Sequence, residues 1–320
     1  MVASWRILWY SKAMIENEKT YDSVFWTSVV DMKEYFVPLV NELFGEHFTD
    51  KAIVKLHPGK QTVEHTDGSF EQRNMDAFAI LTEDSVSKPY HVEVETWYKS
   101  GIILRIAEYS LVSASESRMK TEKGARVRVP QSALIVLRPE NGAPDSYVIE
   151  YDFGNQIVEQ KVPILQIKDY SVSDLFEKRL LLLVPFVGFA FEPRFAEMEK
   201  GGIDDLKKAL DEVSESLIRM VEAGEIDESK HSHMLDWLKR VMEKLTVNYG
   251  NVKKGVDDLM SGYILHTRTD EILDEGANNE MRRRIEIMLR KGKTPEDIAD
   301  FCDYPIDLVK EVEQSMMAVV

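Results

Sequence analysis

The hydrophobic pattern of this chain changes its period near residue 200, and that change limits the folds that the chain can adopt. Before Gly201-Gly202, apolar and polar residues alternate in short segments such as Tyr90 to Thr96. After these glycines, apolar residues recur every three or four positions, as between Ile203 and Met220. The pattern therefore predicts an α/β domain over residues 1–200 and a helical domain over residues 201–320.

The first part reads as a mixed sheet flanked by helices. Apolar residues at helical spacing occupy Tyr21 to Phe44, and a second helix is predicted from Ser100, a suitable N-cap, to about Ser117. The predicted strands are Ala52–His57, Met75–Leu81, Tyr90–Thr96, Ser132–Leu137, Ser146–Phe153 and Val158–Ile167. The buried core also includes the apolar run that begins at Leu180.

Composition excludes several classes of protein. The 320 residues carry a net charge of −16, which excludes a protein that coats nucleic acid by bulk electrostatics. More than half of the excess acid lies after residue 195. Cys302 is the only cysteine, so an intramolecular disulfide is excluded, and no apolar run approaches the ~18 residues of a membrane span. We therefore expect a cytoplasmic protein without a membrane partner.

Three carboxylates are predicted to meet at one end of the sheet. Asp76 opens one strand, and Glu93 and Glu95 lie near the end of the next. The loop from Glu83 to Pro89 is short enough to make the two strands antiparallel neighbours, with facing residue numbers expected to sum to about 172. This register places Asp76 beside the end that carries Glu95 and within side-chain reach of Glu93.

Carboxylates at this spacing favour a hard divalent cation. They repel one another unless a cation or a raised pKa relieves them, and Mg²⁺ or Mn²⁺ with oxygen ligands suits phosphodiester cleavage. Arg105, on the following helix, is expected to hold a carboxylate or a phosphate, or to form a salt bridge with Glu108 or Glu95. The alternative is that Glu93 and Glu95 form the solvated face of an edge strand.

A basic segment follows the helix that carries Arg105. Its five cations accompany one acid, Glu122, and Gly124 indicates a loop that could lie along a phosphate backbone. The alternative is a solvated loop that offsets the acidic surface. The predicted DNA-binding residues are Arg118, Lys120, Lys123, Arg126 and Arg128.

The end of the chain predicts a small helix-turn-helix-like pair. The first helix starts at Thr294-Pro295 and the second at Pro305, each with a threonine or proline typical of a first turn. The second helix carries Asp307, Glu311 and Glu313 against one lysine, so phosphate would repel it. Packing or oligomer contact is favoured over groove reading, and these helices are the candidate surface of a homo-oligomer.

These residues resemble a known nuclease superfamily. Asp76, the Glu93-Val94-Glu95 segment, and an arginine and tyrosine on the next helix resemble the PD-(D/E)XK core of the recombination-promoting nuclease/transposase (Rpn-like) group. Tyr21 to Phe25 resembles that group's N-terminal helix, and Ile164 to Phe186 resembles its strand and leucine-rich helix. The resemblance covers roughly residues 20–190. It implies a restriction-endonuclease-like sheet and a mobile-element-type DNA endonuclease.

The resemblance also implies roles for particular residues. Asp76 and Glu93 take the metal-binding positions, and the Val94 carbonyl is a further candidate ligand for Mg²⁺ or Mn²⁺. Glu95 takes the position of the motif lysine, where its charge opposes the approach of phosphate. Two hypotheses follow: an active metal-dependent DNA endonuclease with Asp76, Glu93, Glu95 and Arg105 in its site, or a catalytically decayed binding or scaffold protein that works through its helical half.

Overall fold

A mixed sheet of six strands forms the centre of the α/β part. The computed structural model describes residues 20–57, 60–64, 70–74, 76–98, 101–116, 119–138, 144–264, 282, 285–286, 288–289, 293–302 and 306–317. The strands within these residues are β1 Ile53–Leu56, β2 Lys60–Glu64, β3 Phe70–Asn74, β4 Ala77–Glu83, β5 Val86–Glu95, β6 Met119–Thr121, β7 Gly124–Arg126, β8 Gln131–Val136, β9 Ser146–Asp152 and β10 Ile157–Gln166.

The order across the large sheet is β1-β4-β5-β8-β10-β9. Strands β1, β4 and β5 are antiparallel, β5, β8 and β10 are parallel, and β9 returns antiparallel to β10. Two further pairs, β2–β3 and β6–β7, form separate two-stranded ribbons. Strand β5 is thus an interior strand with a neighbour on each side.

Helices precede, cross and follow the sheet. Among the described residues they are α1 (20–31), α2 Phe36–Phe44, α3 Ile102–Glu116, α4 Val172–Glu177, α5 Phe195–Gly201, α6 Asp204–Glu222, α7 Glu228–Leu245, α8 (250–264), α9 Pro295–Cys302 and α10 Ile306–Met317. Side chains cap two of them: Ser171 and Asp174 form a capping box at α4, and Asp227 accepts the Lys230 N–H at α7.

The turn between β4 and β5 contains two residues in the left-handed region. Asp84 has φ 48° and Ser85 has φ 67°. Two consecutive positive φ values are typical of the tight hairpin turns whose twist matches that of the flanking strands. Because the turn is only two residues long, Glu83 faces Val86, and this pairing sets the register of the whole hairpin.

Both faces of the parallel strands are covered. Helix α3, the crossover between β5 and β8, packs Ile102 and Ile106 against Leu134 and Val136. On the other face of β8, Ala133 and Ile135 are also fully buried, and α2 contacts β8 and β10. Side-chain burial on both faces therefore makes this part of the sheet the core of the α/β part.

The apolar run predicted to be buried is a 3-10 helix, Leu181–Ala190, and its residues from Leu181 to Phe189 are buried. Helix α7 packs on it so closely that a Cβ built at Gly188 would lie 2.2 Å from the Met242 Sδ.

The chain divides into compact units Met1–Ser261 and Gly262–Val320. Residue 200, near which the sequence predicts a domain boundary, lies inside the first unit. Helix α7, which follows that position, packs against the 3-10 helix that precedes it.

The second unit has a small apolar cluster of its own. Ile285, Ile298, Val309 and Val312 are buried together, so α9 and α10 pack side by side.

The mixed α/β class, the helices around the sheet and the helical C-terminal region are confirmed. None of the helices in the described part of the chain is long and apolar enough to cross a membrane.

Gly188→Ala tests the packing of α7 on the 3-10 helix. The added methyl group would displace Met242 or shift α7, so we expect a loss of about 1–3 kcal/mol in the free energy of unfolding, measured with urea. Gly201→Ala is the matched control, since no atom lies within 4 Å of its Cβ position, and it should be neutral. Equal effects of the two changes would contradict this packing.

Candidate functional site

The hairpin register brings Asp76 directly opposite Glu93. Ala77 faces Val92, and facing residue numbers in the β4–β5 ladder sum to 169. The expected sum of about 172 is wrong by three, because the turn is the two residues Asp84-Ser85 rather than a longer loop. Asp76 and Glu93 are consequently neighbours across the ladder. The Asp76 N–H donates to the Glu93 Oε1, with 3.4 Å between nitrogen and oxygen.

The carboxylates lie inside the protein. Glu93 is 1% exposed, and Asp76 and Glu95 are each 8% exposed. Because β5 lies between β4 and β8, the interpretation of Glu93 and Glu95 as the solvated face of an edge strand is wrong. Buried carboxylates need hydrogen bonds, positive charge or a proton to offset the loss of water.

Arg105 supplies positive charge to two of them. Its Nη2 donates to the Glu93 Oε2 at 3.0 Å and also to the Glu95 Oε1. Burial lowers the pKa of the Arg105 guanidinium, but Glu93 and Glu95 outweigh burial and raise it. The predicted salt bridge to Glu95 is therefore present, and it extends to Glu93.

Asp76 is held by the backbone of the next strand. The Val94 N–H donates to the Asp76 Oδ2 at 2.8 Å. Burial raises the pKa of Asp76 well above its usual range, and the charges of Glu93 and Asp22 raise it further, although Val94 and Arg105 oppose this. The Val94 N–H thus orients Asp76, while the ligand role predicted for the Val94 carbonyl stays a prediction.

Two residues near the site had no predicted role. Asp22, in α1, is a fourth acid near the site, and its charge contributes to the raised pKa of Asp76. His91 is fully buried, and its Nε2 lies 2.7 Å from the Glu93 Oε1. The sequence did place His91 on the face of Glu93 and Glu95, and Asp22 in a segment of the family resemblance. Neither pattern indicated a contact with the carboxylates.

The donor set of the site fits a hard divalent cation. Carboxylate oxygens are the preferred ligands of Mg²⁺ and Mn²⁺, and Asp76, Glu93 and Glu95 outnumber the one guanidinium of Arg105. Within the described residues, no three or more His, Cys, Asp or Glu side chains are arranged as ligands around one point. Magnesium needs only one or two protein carboxylates, and Asp76 and Glu93 would provide them.

The basic segment lies away from the carboxylates. Lys120, Lys123 and Arg126 are exposed on the β6–β7 ribbon and its turn, and Arg128 donates from Nη1 to the Ser87 carbonyl near the start of β5. Ser87 precedes Glu95 by eight residues of strand, a distance of about 26 Å. The structure therefore does not bring these cations to the site. Arg118 lies outside the described residues.

Similarity to known proteins does not identify this site. The chain matches no family model, no curated protein and no solved structure. The class of protein is therefore defined by the fold and the site alone: a mixed α/β protein with a buried cluster of carboxylates and one arginine at the end of an interior strand.

Asp76→Asn should make the protein more stable at alkaline pH. A carboxyl whose pKa is higher in the folded state stabilises the fold at acidic pH, and this contribution falls as pH rises through the folded pKa. The amide cannot ionise and still accepts the Val94 N–H. In EDTA, we expect little change in the free energy of unfolding near pH 4 and an increase near pH 8, measured with urea. The increase should be about 1.4 kcal/mol for each unit by which folding raises the pKa of Asp76.

Asp152→Asn is the matched control, because this exposed aspartate also accepts one backbone N–H, from Gly154. Its effect should not vary between the two pH values. A loss of stability for Asp76→Asn at alkaline pH would contradict the direction given for the pKa of Asp76.

Arg105→Met should destabilise the fold because it leaves Glu93 and Glu95 without their shared cation. Removal of one partner of a fully buried pair costs about 3–5 kcal/mol, and we expect about 1–3 kcal/mol because the Arg105 side chain is 38% exposed. Arg219→Met, which breaks an exposed pair with Glu215 at 3.8 Å, should cost less than about 0.5 kcal/mol. Similar losses in thermal unfolding would show that Arg105 does not support the cluster.

Proposed function

We propose that this protein is a divalent-metal-dependent phosphodiesterase that cleaves DNA. The observation that carries the proposal is the surplus of buried carboxylates: Asp76, Glu93 and Glu95 share one guanidinium, and Asp22 adds further negative charge. A structure that only needed stability would gain from apolar residues at these positions. A bound cation would offset this charge, and Asp76 and Glu93 are the residues that would hold it.

The residues around the cation have distinct tasks. When bound, Mg²⁺ or Mn²⁺ activates a water and offsets charge on the scissile phosphate. The Val94 N–H holds Asp76 in place, and His91 and Arg105 hold the two oxygens of Glu93. Both ligands are therefore oriented before the substrate arrives, which is how supporting hydrogen bonds increase the affinity of metal ligands.

Glu95 is the residue on which the reaction depends most. In the position of a motif lysine, it can accept the proton of an attacking water but cannot offset the charge of the phosphate. Arg105 is the nearby cation that takes over this second task, since it already contacts Glu95. Glu95 thus serves as general base in this proposal, and Arg105 orients it.

The arrangement of the elements supports the resemblance to PD-(D/E)XK nucleases. Helix α1 precedes three antiparallel strands, α3 crosses from the third of them, and β8 lies parallel to it. The family-like positions, Asp76, Glu93 and Glu95, meet at one end of these strands. The exposed β6–β7 ribbon, which carries Lys120, Lys123 and Arg126, would supply a second contact with DNA.

One observation favours a second function. Because Arg105 bridges Glu93 and Glu95, the cluster has a protein cation of its own, as expected for a scaffold protein with a decayed site. In that case, the surplus charge is relieved by the proton that the raised pKa of Asp76 favours. The net charge of −16 supports the same function.

Cleavage and metal binding separate the two functions. The substrates are supercoiled plasmid and single-stranded circular DNA with Mg²⁺ or Mn²⁺. We expect Asp76→Asn and Glu93→Gln to lower the cleavage rate at least about 100-fold, since each removes a charged ligand. Asp152→Asn, with its exposed aspartate, should cleave as the unchanged protein does.

Titration calorimetry with Mn²⁺ uses the same variants. Binding that Glu93→Gln abolishes and Asp152→Asn retains is expected for the phosphodiesterase. Equal cleavage rates in Asp76→Asn and the unchanged protein, or the absence of Mn²⁺ binding, would reject the phosphodiesterase and favour the scaffold.

A further inference from the structure

An exposed tryptophan lies directly beyond the carboxylates. Trp97 follows Glu95 by two residues, and 42% of its surface is accessible. Backbone hydrogen bonds continue past the last residues of β5 and β8, because the Leu137 N–H donates to the Glu95 carbonyl and the Arg138 N–H to the Thr96 carbonyl. Trp97 is two residues from Glu95, so their Cα atoms are at most about 7 Å apart.

Arg138 fixes one side of this tryptophan. The Arg138 guanidinium carbon lies 4.8 Å from the centre of the Trp97 ring. Its Nε and Nη2 donate to the two carboxylate oxygens of Glu192 at 2.6 and 2.8 Å, and Phe189 supports it at 5.6 Å. Most of the Arg138 side chain is buried, and Glu192 and Phe189 hold its guanidinium in place. The indole of Trp97 therefore lies against a rigid support.

The charge around Trp97 restricts what can bind there. Glu93 and Glu95 precede Trp97 on the same stretch of chain, and Glu192 pairs with Arg138, the cation that contacts the Trp97 ring. Phosphate groups therefore gain little from direct electrostatic attraction at this place. An accessible aromatic ring offers a contact that needs no positive charge, because every nucleobase has a flat apolar face that stacks on it.

We propose that Trp97 is a stacking platform for an unpaired nucleobase, and that the substrate is consequently single-stranded DNA. The inference rests on the proposed function for the substrate class and on the Trp97–Arg138–Glu192 geometry for the platform. Bases in a duplex already stack on their neighbours, so only an unpaired base can use the indole. Stacked there, the base would hold its strand beside the carboxylates.

Direct binding of labelled oligothymidine and of a duplex of equal length tests the platform. Fluorescence anisotropy is measured in EDTA and in Ca²⁺, at two salt concentrations. We expect tighter binding of the single strand, weakened about 10-fold or more by Trp97→Ala and by about the same factor at both salt concentrations, since stacking is not electrostatic. Trp97→Phe, which keeps a flat ring, should retain binding within about threefold.

Two controls keep the test specific. Phe153→Ala removes another exposed aromatic, 64% accessible, at the far end of the sheet, and should leave binding unchanged. Trp97→Leu keeps an apolar side chain against Arg138 and should bind as weakly as Trp97→Ala. Thermal unfolding of each variant checks that the fold is retained.

The outcomes separate this inference from the proposed function. Absence of a single-strand preference in every condition, or equal binding by Trp97→Leu and Phe153→Ala, would overturn the platform even if the protein cleaves DNA. Trp97-dependent binding without any cleavage would support the platform and count against the phosphodiesterase. Cleavage of single strands that Trp97→Leu slows and Phe153→Ala does not would support both.

Discussion

The repulsion between carboxylates at the end of β5 is the constraint on which this site depends. Glu93 and Glu95 lie on one interior strand, and the hairpin brings Asp76 opposite the first of them. Water cannot screen these charges because all three side chains are buried. The contacts of Arg105, the Val94 N–H and the raised pKa of Asp76 are separate ways in which the fold reduces the same repulsion.

Much of this arrangement follows from the sequence. Alternation in Tyr90 to Thr96 identified the strand, and the short loop after Glu83 identified its antiparallel neighbour. The convergence of Asp76, Glu93 and Glu95 followed from those two facts. The register did not, because Asp84 and Ser85 have no sequence signal as strong as Asn-Gly for two positive φ values, and the sequence therefore predicted a longer loop, Glu83 to Pro89.

Other features of the site depend on contacts that a linear pattern does not contain. The same alternation suits an edge strand and an interior strand, and only the three-dimensional structure shows that β5 pairs with β8 and that Glu93 is buried. The basic segment follows Arg105 closely in sequence, but α3 carries the chain about 22 Å away before the segment begins. Asp22 reaches the site through the packing of α1, which begins more than fifty residues before Asp76.

The parallel pairing of β5 with β8 has a consequence for how the site forms during folding. β8 reaches β5 only after the chain has passed through α3, so partners such as Tyr90 and Gln131 are 41 residues apart in sequence. Arg105 belongs to α3, the helix of the same crossover. The fold therefore brings β8 and Arg105 to β5 in one step. An isolated β4–β5 hairpin would carry three exposed acids without either, which makes formation of the site a late, cooperative event set by long-range contacts.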